Sequence, residues 1–435
     1  MAGTRDYFVI EGGHPLRGAV EASGNKNAAL PALAASLLTD EPVILHNLPA
    51  IRDVETMAGL LARLGVEVER LGPHDWKLCA AEVKPPTEGG AAIDLFRSIR
   101  GSVLITGPLL GRHRRVSIPM PGGDRIGRRR VDTHFLAFRA LGAEMEVNGH
   151  FYRVRADRLR GTSLLLDEAS VTGTENAVMA AVLASGTTVI RNAASEPHVQ
   201  DLCRMLNAMG AQIEGIGTNR LIIEGVERLH GVEFTIGADH IEVGSYIAMA
   251  AATGSEITIR NASPEHLEMV RLVYERLGVH FETQGADIVV PAEQPRRIIP
   301  DLGGAIPSIS DAPWPAFPAD LMSITLVMAT QADGVVLFHD KMFESRLFFV
   351  DKLISMGARV VLCDPHRAIV YGPSPLHGYE MESPDIRAGM ALLVAALAAQ
   401  GTSIIRNVRQ IDRGYEAIEK KLRPLGAQIE RRSEM

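Results

Sequence analysis

The sequence predicts an α/β protein with two domains of three βαβ-type repeats each. Three observations lead to this fold class: a unit recurs about every 70 residues, a glycine closes one helix in every copy, and four copies carry a second, almost wholly apolar helix. The 435-residue length suits two or three domains, and the 46% of hydrophobic residues suits a soluble, well-packed chain. Aromatic residues make up only 5% while glycine occurs 41 times, which favours helices lying close against sheets.

Each clear copy of the repeat contains a β-branched strand, an Arg-Asn turn, an amphipathic helix, a glycine stop and a second strand. Clear copies lie at 187–214, 255–282 and 402–430, and weaker copies lie at 42–69, 116–146 and 335–361. The glycines are Gly65, Gly142, Gly210, Gly278, Gly357 and Gly426. Glycine suits this place because a helix commonly ends with its next residue in the left-handed conformation. A binding solenoid is the less favoured alternative, since its units are about 20 to 50 residues long.

The second helix precedes the Arg-Asn strand. It is recognised at 25–40, 174–186, 242–254 and 386–401. A helix that is apolar on nearly every face is normally buried. Each repeat is therefore predicted to place one helix inside and one outside against its strands.

Composition excludes several classes of protein. The net charge of −7 gives no general reason to bind nucleic acid. Cys79, Cys203 and Cys363 are widely spaced, which argues against a disulfide framework and a zinc site and fits a reducing cytoplasm. The N-terminus has no signal-peptide core, and polar residues interrupt the apolar stretch 388–405. A soluble, cytoplasmic protein without a membrane span is expected.

Positive charge is concentrated at turns and at helix starts. The segment 111–134 contains the turn PGGD and Arg112, Arg114, Arg115, Arg125, Arg128, Arg129 and Arg130. Single cations lie at buried-helix starts or turns: Lys26, Arg100, Arg346, Arg387 and Arg413. Helix N-termini already favour anions, so several such ends would together hold a phosphate or a carboxylate. A structural ion pair is the alternative at each single position.

Two acidic residues are candidates for proton transfer. Asp320 follows three prolines and opens an apolar helix, so an N-cap role also explains it. Asp124 lies in the arginine-rich loop, where no capping role is evident. A general acid or base must reach the substrate and have a suitable pKa.

The motifs SGNKNAAL, PGGDRIGRRRVDTH, SVTGTEN, PWPAFPAD, FESR, PDIRAG and IDRGYE together resemble the enolpyruvyl transferases along almost the whole chain. The resemblance implies a two-domain inverse α/β barrel with three repeats per domain. One domain would span 22–236 and carry a mobile loop at 111–130. The other would combine 1–21 with 237–435, with the active site in the cleft between them.

The implied reaction transfers the enolpyruvyl group of phosphoenolpyruvate to a sugar nucleotide, with UDP-N-acetylglucosamine as the first candidate, by addition and elimination without metal or cofactor. In this family's pattern, Lys26, Arg129 and Arg413 would bind the phosphate, Arg346 and Arg387 the carboxylate, and Arg100 would order the lid. Asp320 would be the base and Asp124 the acid. The remaining predicted substrate contacts are Asn27, His134, Ser170, Val171, Thr172, Met342, Phe343 and Asp385.

Several positions depart from the family pattern. Asp124 stands where most members carry the cysteine that fosfomycin alkylates, so an active, fosfomycin-insensitive enzyme is expected. Arg130 replaces a usual proline and Thr133 a usual leucine, where the family packs on uracil; Met322 replaces a glutamine and His240 an arginine. These changes leave alternatives open: another nucleotide acceptor with a phosphate that Arg130 could meet, 3-phosphoshikimate as acceptor, or a non-catalytic sugar-nucleotide sensor.

Overall fold

A computed structural model describes residues 5–86, 92–122 and 130–434. Within this range the chain forms two compact units. One unit combines residues 5–23 with 238–434, and the other contains the described residues of 24–237. The first therefore uses both ends of the chain, while the second is an insertion between them.

Twenty-three strands are described. They are β1 Arg5–Gly12, β2 Arg17–Glu21, β3 Val43–His46, β4 Glu67–Arg70, β5 Trp76–Cys79, β6 Arg115–Pro119, β7 Glu144–Asn148, β8 Phe151–Arg155, β9 Ser163–Leu165, β10 Thr187–Arg191, β11 Gln212–Glu214, β12 Arg220–Glu224, β13 Val232–Thr235, β14 Glu256–Arg260, β15 Glu282–Gln284, β16 Asp287–Val290, β17 Ser308–Ser310, β18 Gly334–His339, β19 Arg359–Asp364, β20 Arg367–Gly372, β21 Glu380–Glu382, β22 Gly401–Arg406 and β23 Gln428–Glu434.

Thirteen α-helices are described. They are α1 Lys26–Ala35, α2 Arg52–Arg63, α3 Ile93–Ser98, α4 Thr106–His113, α5 Asp132–Ala140, α6 Val171–Ala181, α7 Pro197–Ala208, α8 His240–Thr253, α9 Glu268–Arg276, α10 Ala319–Ala329, α11 Val350–Ser355, α12 Ile386–Ala398 and α13 Ile418–Leu422. Short 3₁₀ turns lie at Ser36–Leu38, Arg100–Ile105, Pro264–His266, Leu302–Gly304, Arg346–Phe349, Val408–Arg413 and Arg423–Leu425.

The strands form six separate sheets, three in each unit. The unit with both chain ends has the strand orders β21-β22-β1-β23, β15-β16-β14-β2 and β17-β18-β20-β19, and the inserted unit has β13-β3-β5-β4, β11-β12-β10-β9 and β6-β8-β7. Each four-stranded sheet contains one parallel pair, such as β17 with β18, and its other pairs are antiparallel. One sheet per repeat confirms the six predicted repeats.

The glycine stops and the asparagine turns have the backbone conformation that the repeat predicts. All six stop glycines have positive φ, between 71° at Gly278 and 101° at Gly426. The asparagines Asn47, Asn192, Asn261 and Asn407 also adopt the left-handed region, with φ between 51° and 59°. Asparagine tolerates this region better than most side chains do. The backbone conformation of the turn therefore explains why asparagine recurs there.

Buried helices form the centre of each unit, as predicted. In α1, α6, α8 and α12 almost every residue is buried, and α4 and α10 extend this set to the two repeats in which no second helix was recognised from the sequence. Helices α8, α10 and α12 pack against one another, and α4 packs against α6. With sheets outside and apolar helices inside, each unit is an inverse α/β barrel. Among the residues described, none of these helices is long and apolar enough to cross a membrane.

Candidate active site

Lys26 is held at the start of a buried helix in the inserted unit. Asn25 caps α1 by accepting hydrogen bonds from backbone N–H groups of the first turn. A side chain at Gly24 would lie 1.7 Å from the carbonyl oxygen of Asn47, so only glycine permits this close approach. Lys26 Nζ lies 2.9 Å from Asp53 Oδ2, and both residues are buried. Asp53, which the sequence argument missed, therefore compensates a buried cation at a helix end that favours anions.

A neutral histidine organises the start of α6. His134 is buried and accepts a hydrogen bond at Nδ1 from Asn176 Nδ2, 2.8 Å away. The Asn176 amide is oriented by Gly107 N–H, which donates to its oxygen, and by Val103 O, which accepts from its nitrogen. Nε2 must then carry the proton and donate to Thr172 Oγ1 at 3.1 Å. Burial lowers the pKa of His134 to about 3, so the imidazole positions Thr172 without charge.

The three residues predicted to contact the sugar nucleotide lie together at this helix start. Ser170 caps α6, and its Oγ accepts from Gly173 N. Val171 and Thr172 are the first helical residues, and all three are only partly buried. Asn27, another predicted contact, is partly buried in the first turn of α1. These side chains are accessible to a ligand and sit on rigid helix ends.

The unusual residues Arg130 and Thr133 share one carboxylate. Arg130 forms ion pairs with Asp132 at 3.2 Å and with Asp167 at 2.9 Å. Thr133 Oγ1 donates to Asp167 Oδ1 at 2.7 Å, and this bond with the charge of Arg130 lowers the pKa of Asp167. Arg100 donates to the backbone oxygen of Arg130 at 2.9 Å. The charge of Arg130 is thus already met by carboxylates of the protein.

Asp320 is bridged by two buried arginines in the unit that contains both chain ends. Its Oδ1 accepts from Arg346 Nη2 at 3.0 Å, and its Oδ2 accepts from Arg387 Nε at 3.0 Å. The expected N-cap role is wrong, because Pro318 occupies the N-cap of α10 and Asp320 is the second helical residue. Asp320 retains 30% side-chain exposure, whereas Arg346 and Arg387 have 3% and 7%. The carboxylate is the accessible member of this cluster.

The two arginines keep unused donors. Arg346 Nη1 and Arg387 Nη1 are buried and have no hydrogen-bond partner among the described residues. Arg346 stacks over the ring of Phe343 at 4.7 Å, and Arg387 lies 5.5 Å from the ring centre of Tyr415. These rings fix the planes of the guanidinium groups. A planar carboxylate is the kind of ligand that such forks bind.

The other predicted residues of this unit occupy defined places. Asp385 is the N-cap of α12, and its Oδ1 accepts from the backbone N–H of Arg387 at 2.8 Å. Met342 is 43% exposed beside Phe343. Arg413 ends a 3₁₀ turn and donates to Gln410 Oε1 at 3.0 Å.

Two further departures from the family pattern lie at buried-helix starts. Met322 is fully buried in α10. His240 opens α8 and is buried in an aromatic cluster with its ring centre 5.9 Å from Trp314 and 6.2 Å from His266. Burial lowers the pKa of His240 to about 3, so it is neutral.

Asp124 and Arg129 lie outside the described residues. The three cysteines are free: Cys203 is buried in α7, while Cys79 and Cys363 lie on strands. Among the described residues, no group of three His, Cys, Asp or Glu side chains could hold a metal ion. What each unit brings together is clear: Lys26 with Asp53, His134 with Thr172, and Asp320 with two arginines distant in sequence.

Comparisons with known proteins agree along the whole chain. Residues 10–422 match the family model described as EPSP synthase (3-phosphoshikimate 1-carboxyvinyltransferase). Proteins named UDP-N-acetylglucosamine 1-carboxyvinyltransferase are 53% identical in Treponema denticola, over 97% of this chain and 98% of that protein, and 54% identical in Bradyrhizobium diazoefficiens, over 98% and 97%.

Solved structures of lower identity share the fold. The enolpyruvyl transferase NikO from Streptomyces tendae has a TM-score of 0.86 with 23% identity, and both chains are covered completely. An EPSP synthase from Acinetobacter baumannii has a TM-score of 0.76 with 18% identity, covering 99% of this chain and 100% of the other.

Proposed function

We infer that this chain, which belongs to the EPSP synthase family, transfers the enolpyruvyl group of phosphoenolpyruvate to the 3'-hydroxyl of UDP-N-acetylglucosamine and releases phosphate. Relatives with this name are more than half identical over nearly the full length. The EPSP synthase structure, at 18% identity, shares the fold alone. The observation that most directly supports the chemistry is the Asp320 carboxylate between two buried arginines with unused donors.

The proposed reaction is an addition followed by an elimination. C3 of phosphoenolpyruvate is protonated while the acceptor hydroxyl attacks C2, which gives a tetrahedral intermediate that still carries phosphate. Asp320 takes the proton of the hydroxyl, and Asp124 supplies the proton to C3. Loss of phosphate and of a proton from C3 then restores the double bond. Acid–base groups and anion binding supply all of these steps.

Five cations are proposed to bind phosphoenolpyruvate. Lys26, Arg129 and Arg413 bind its phosphate, while Arg346 and Arg387 bind its carboxylate. Support comes from the unused guanidinium donors and from Lys26 at a helix N-terminus. Ser170, Thr172 and Asn27 are proposed to contact the sugar nucleotide, and their partly buried places at helix starts support this role. We further propose that the enzyme works in the cytoplasm in peptidoglycan precursor synthesis, and so serves cell shape and division.

Phosphate release with different acceptors tests the function. UDP-N-acetylglucosamine should support release of phosphate from phosphoenolpyruvate, whereas 3-phosphoshikimate and nucleoside monophosphates should not. Arg130 favours this outcome, because Asp132 and Asp167 already pair with it and leave little attraction for an additional phosphate. Turnover with another acceptor alone would contradict the assignment. Failure of all acceptors, with the sugar nucleotide still raising the melting temperature, would instead indicate a sensor.

Fosfomycin should not inactivate the enzyme. A carboxylic acid at position 124 can donate a proton but lacks the thiolate that opens the epoxide. We expect constant activity during prolonged incubation with the drug. The matched variant Asp124→Cys should show inhibition that deepens with time and a covalent adduct by mass spectrometry. An adduct on Asp124 in the unmodified protein would overturn the proposal.

A further inference from the structure

Two buried carboxyl groups lie behind Arg346, directly after two neighbouring parallel strands. β17 and β18 pair in the register Ser310 with His339, so the next residues, Asp311 and Asp340, follow opposite each other. Both are 0% exposed. The two groups are brought together by strand register across 29 residues of sequence, and neither belongs to a recognised motif.

In each carboxyl group of this pair, one oxygen atom accepts a backbone hydrogen bond and the other does not. Asp311 Oδ1 accepts from the backbone N–H of Lys341 at 2.5 Å, and Asp340 Oδ1 accepts from the backbone N–H of Phe343 at 2.9 Å. The Oδ2 atom of each is buried and has no donor among the described residues. Ionised carboxylates only accept hydrogen bonds, so two adjacent ones cannot satisfy each other. One proton between them would satisfy both oxygens.

Electrostatic interactions also favour one proton shared between Asp311 and Asp340. Burial, the charge of Asp311 and a side-chain hydrogen bond with Asp311 together raise the pKa of Asp340 to about 6, although the charge of Arg346 and the backbone hydrogen bond from Phe343 oppose them. Two like charges at close range in a dry site rarely both ionise. Arg346 Nε lies 3.7 Å from Asp340 Oδ2, which is within ion-pair range but too long for a hydrogen bond.

We propose that Asp311 and Asp340 share one proton and form a positioning pair that sets the charge behind Arg346, making the affinity for the phosphoenolpyruvate carboxylate dependent on pH. This inference rests on the proposed role of Arg346. With one proton, the pair has a charge of −1, and Arg346 is shared between the pair and Asp320. Without the proton, the pair has a charge of −2. This charge attracts Arg346 more strongly, away from the substrate, and repels an incoming anion.

Other charged groups near the pair are few among the described residues. Lys341 directs Nζ to Ser310 Oγ at 3.0 Å, at the protein surface. His366 bonds through Nδ1 to the backbone oxygen of Asp340 at 2.8 Å. On the far side of Arg346 lies Asp320. Because its imidazole contacts the backbone of Asp340 directly, His366 needs a control variant.

The test compares KM for phosphoenolpyruvate between pH 5.5 and 8 in the full-length enzyme and in Asp311→Asn. Asparagine imitates the permanently protonated carboxyl group. The substrate phosphate also titrates near pH 6, so the readout is the ratio of variant to wild-type KM, from which the substrate cancels. The ratio should be near 1 at pH 5.5 and fall to about one third at pH 8, an effect below about 1 kcal/mol, as expected for one charge near an anion site. kcat should change less than about twofold.

Controls separate the possible failures. Asp340→Asn should reproduce the effect, and His366→Gln should keep the wild-type profile. A constant ratio in both asparagine variants, or a shift caused by His366→Gln instead, overturns the inference. If Arg346→Ala leaves KM for phosphoenolpyruvate unchanged, the proposed role of Arg346 fails instead.

Stability gives a second readout that does not depend on activity. The folded protein binds the shared proton more tightly than the unfolded chain, so the free energy of unfolding should decrease as pH rises from about 4 to 6. This part of the slope should disappear in Asp311→Asn. An unchanged slope would also refute the shared proton.

Discussion

Asp320→Asn should lower kcat by roughly 10²–10⁴-fold, because an amide cannot take the proton of the acceptor hydroxyl. The KM for phosphoenolpyruvate should not rise. Arg346 and Arg387 remain in place, and with the Asp320 charge removed both can turn fully to the substrate carboxylate. A lower kcat with an equal or lower KM is the expected signature of a lost proton-transfer group.

The matched control is Asp333→Asn, an exposed position in the same unit. It should leave kcat and KM unchanged. A decrease in kcat below about threefold for Asp320→Asn would remove Asp320 from the mechanism. A large rise in KM with unchanged kcat would make it a binding residue.

Lys26→Met should affect both binding and stability. The loss of a charged contact to the phosphate should raise the KM for phosphoenolpyruvate by about 30-fold or more, since such contacts contribute about 2 kcal/mol or more. Asp53 would remain as a buried charge, which should lower the free energy of unfolding by about 3 kcal/mol or more. Enzyme kinetics and urea unfolding measure the two effects separately.

The double variant Lys26→Met with Asp53→Asn distinguishes these roles. It should recover most of the lost stability, because the buried carboxylate that lost its Lys26 contact is also removed, but the high KM should persist. If the double variant also recovers the wild-type KM, Lys26 has only a structural role. Unchanged KM in the single variant would contradict the phosphate contact.

Local patterns in the sequence were sufficient to predict the repeats and their helices. A positive-φ glycine after each helix and an apolar helix without a polar face are determined by neighbouring residues, so both predictions are confirmed. The residue types of the site could also be read from helix starts. The sequence left an N-cap role open for Asp320 beside the favoured catalytic role, and the structure excludes the cap because α10 begins one residue before Asp320, with Pro318 as its N-cap.

Partners distant in sequence could not be predicted. Asp53 compensates Lys26 through the packing of α2 on α1, and Asn176 fixes the tautomer of His134 through contacts from other helices. Asp311 meets Asp340 only through strand register. Charge alone suggested a phosphate ligand for Arg130, but its acidic partners appear only after folding.

The sheet β21-β22-β1-β23 has a consequence for biosynthesis. β1 pairs with β22 and β23, so this strand finds its partners only after residues 401–434 have been made. The inserted unit, 24–237, does not depend on these late residues, so it can fold while synthesis continues. During that interval β1 has exposed edges, which invite aggregation. Chain termination before residue 401 would therefore leave one folded half joined to a half that lacks the partners of its first strand.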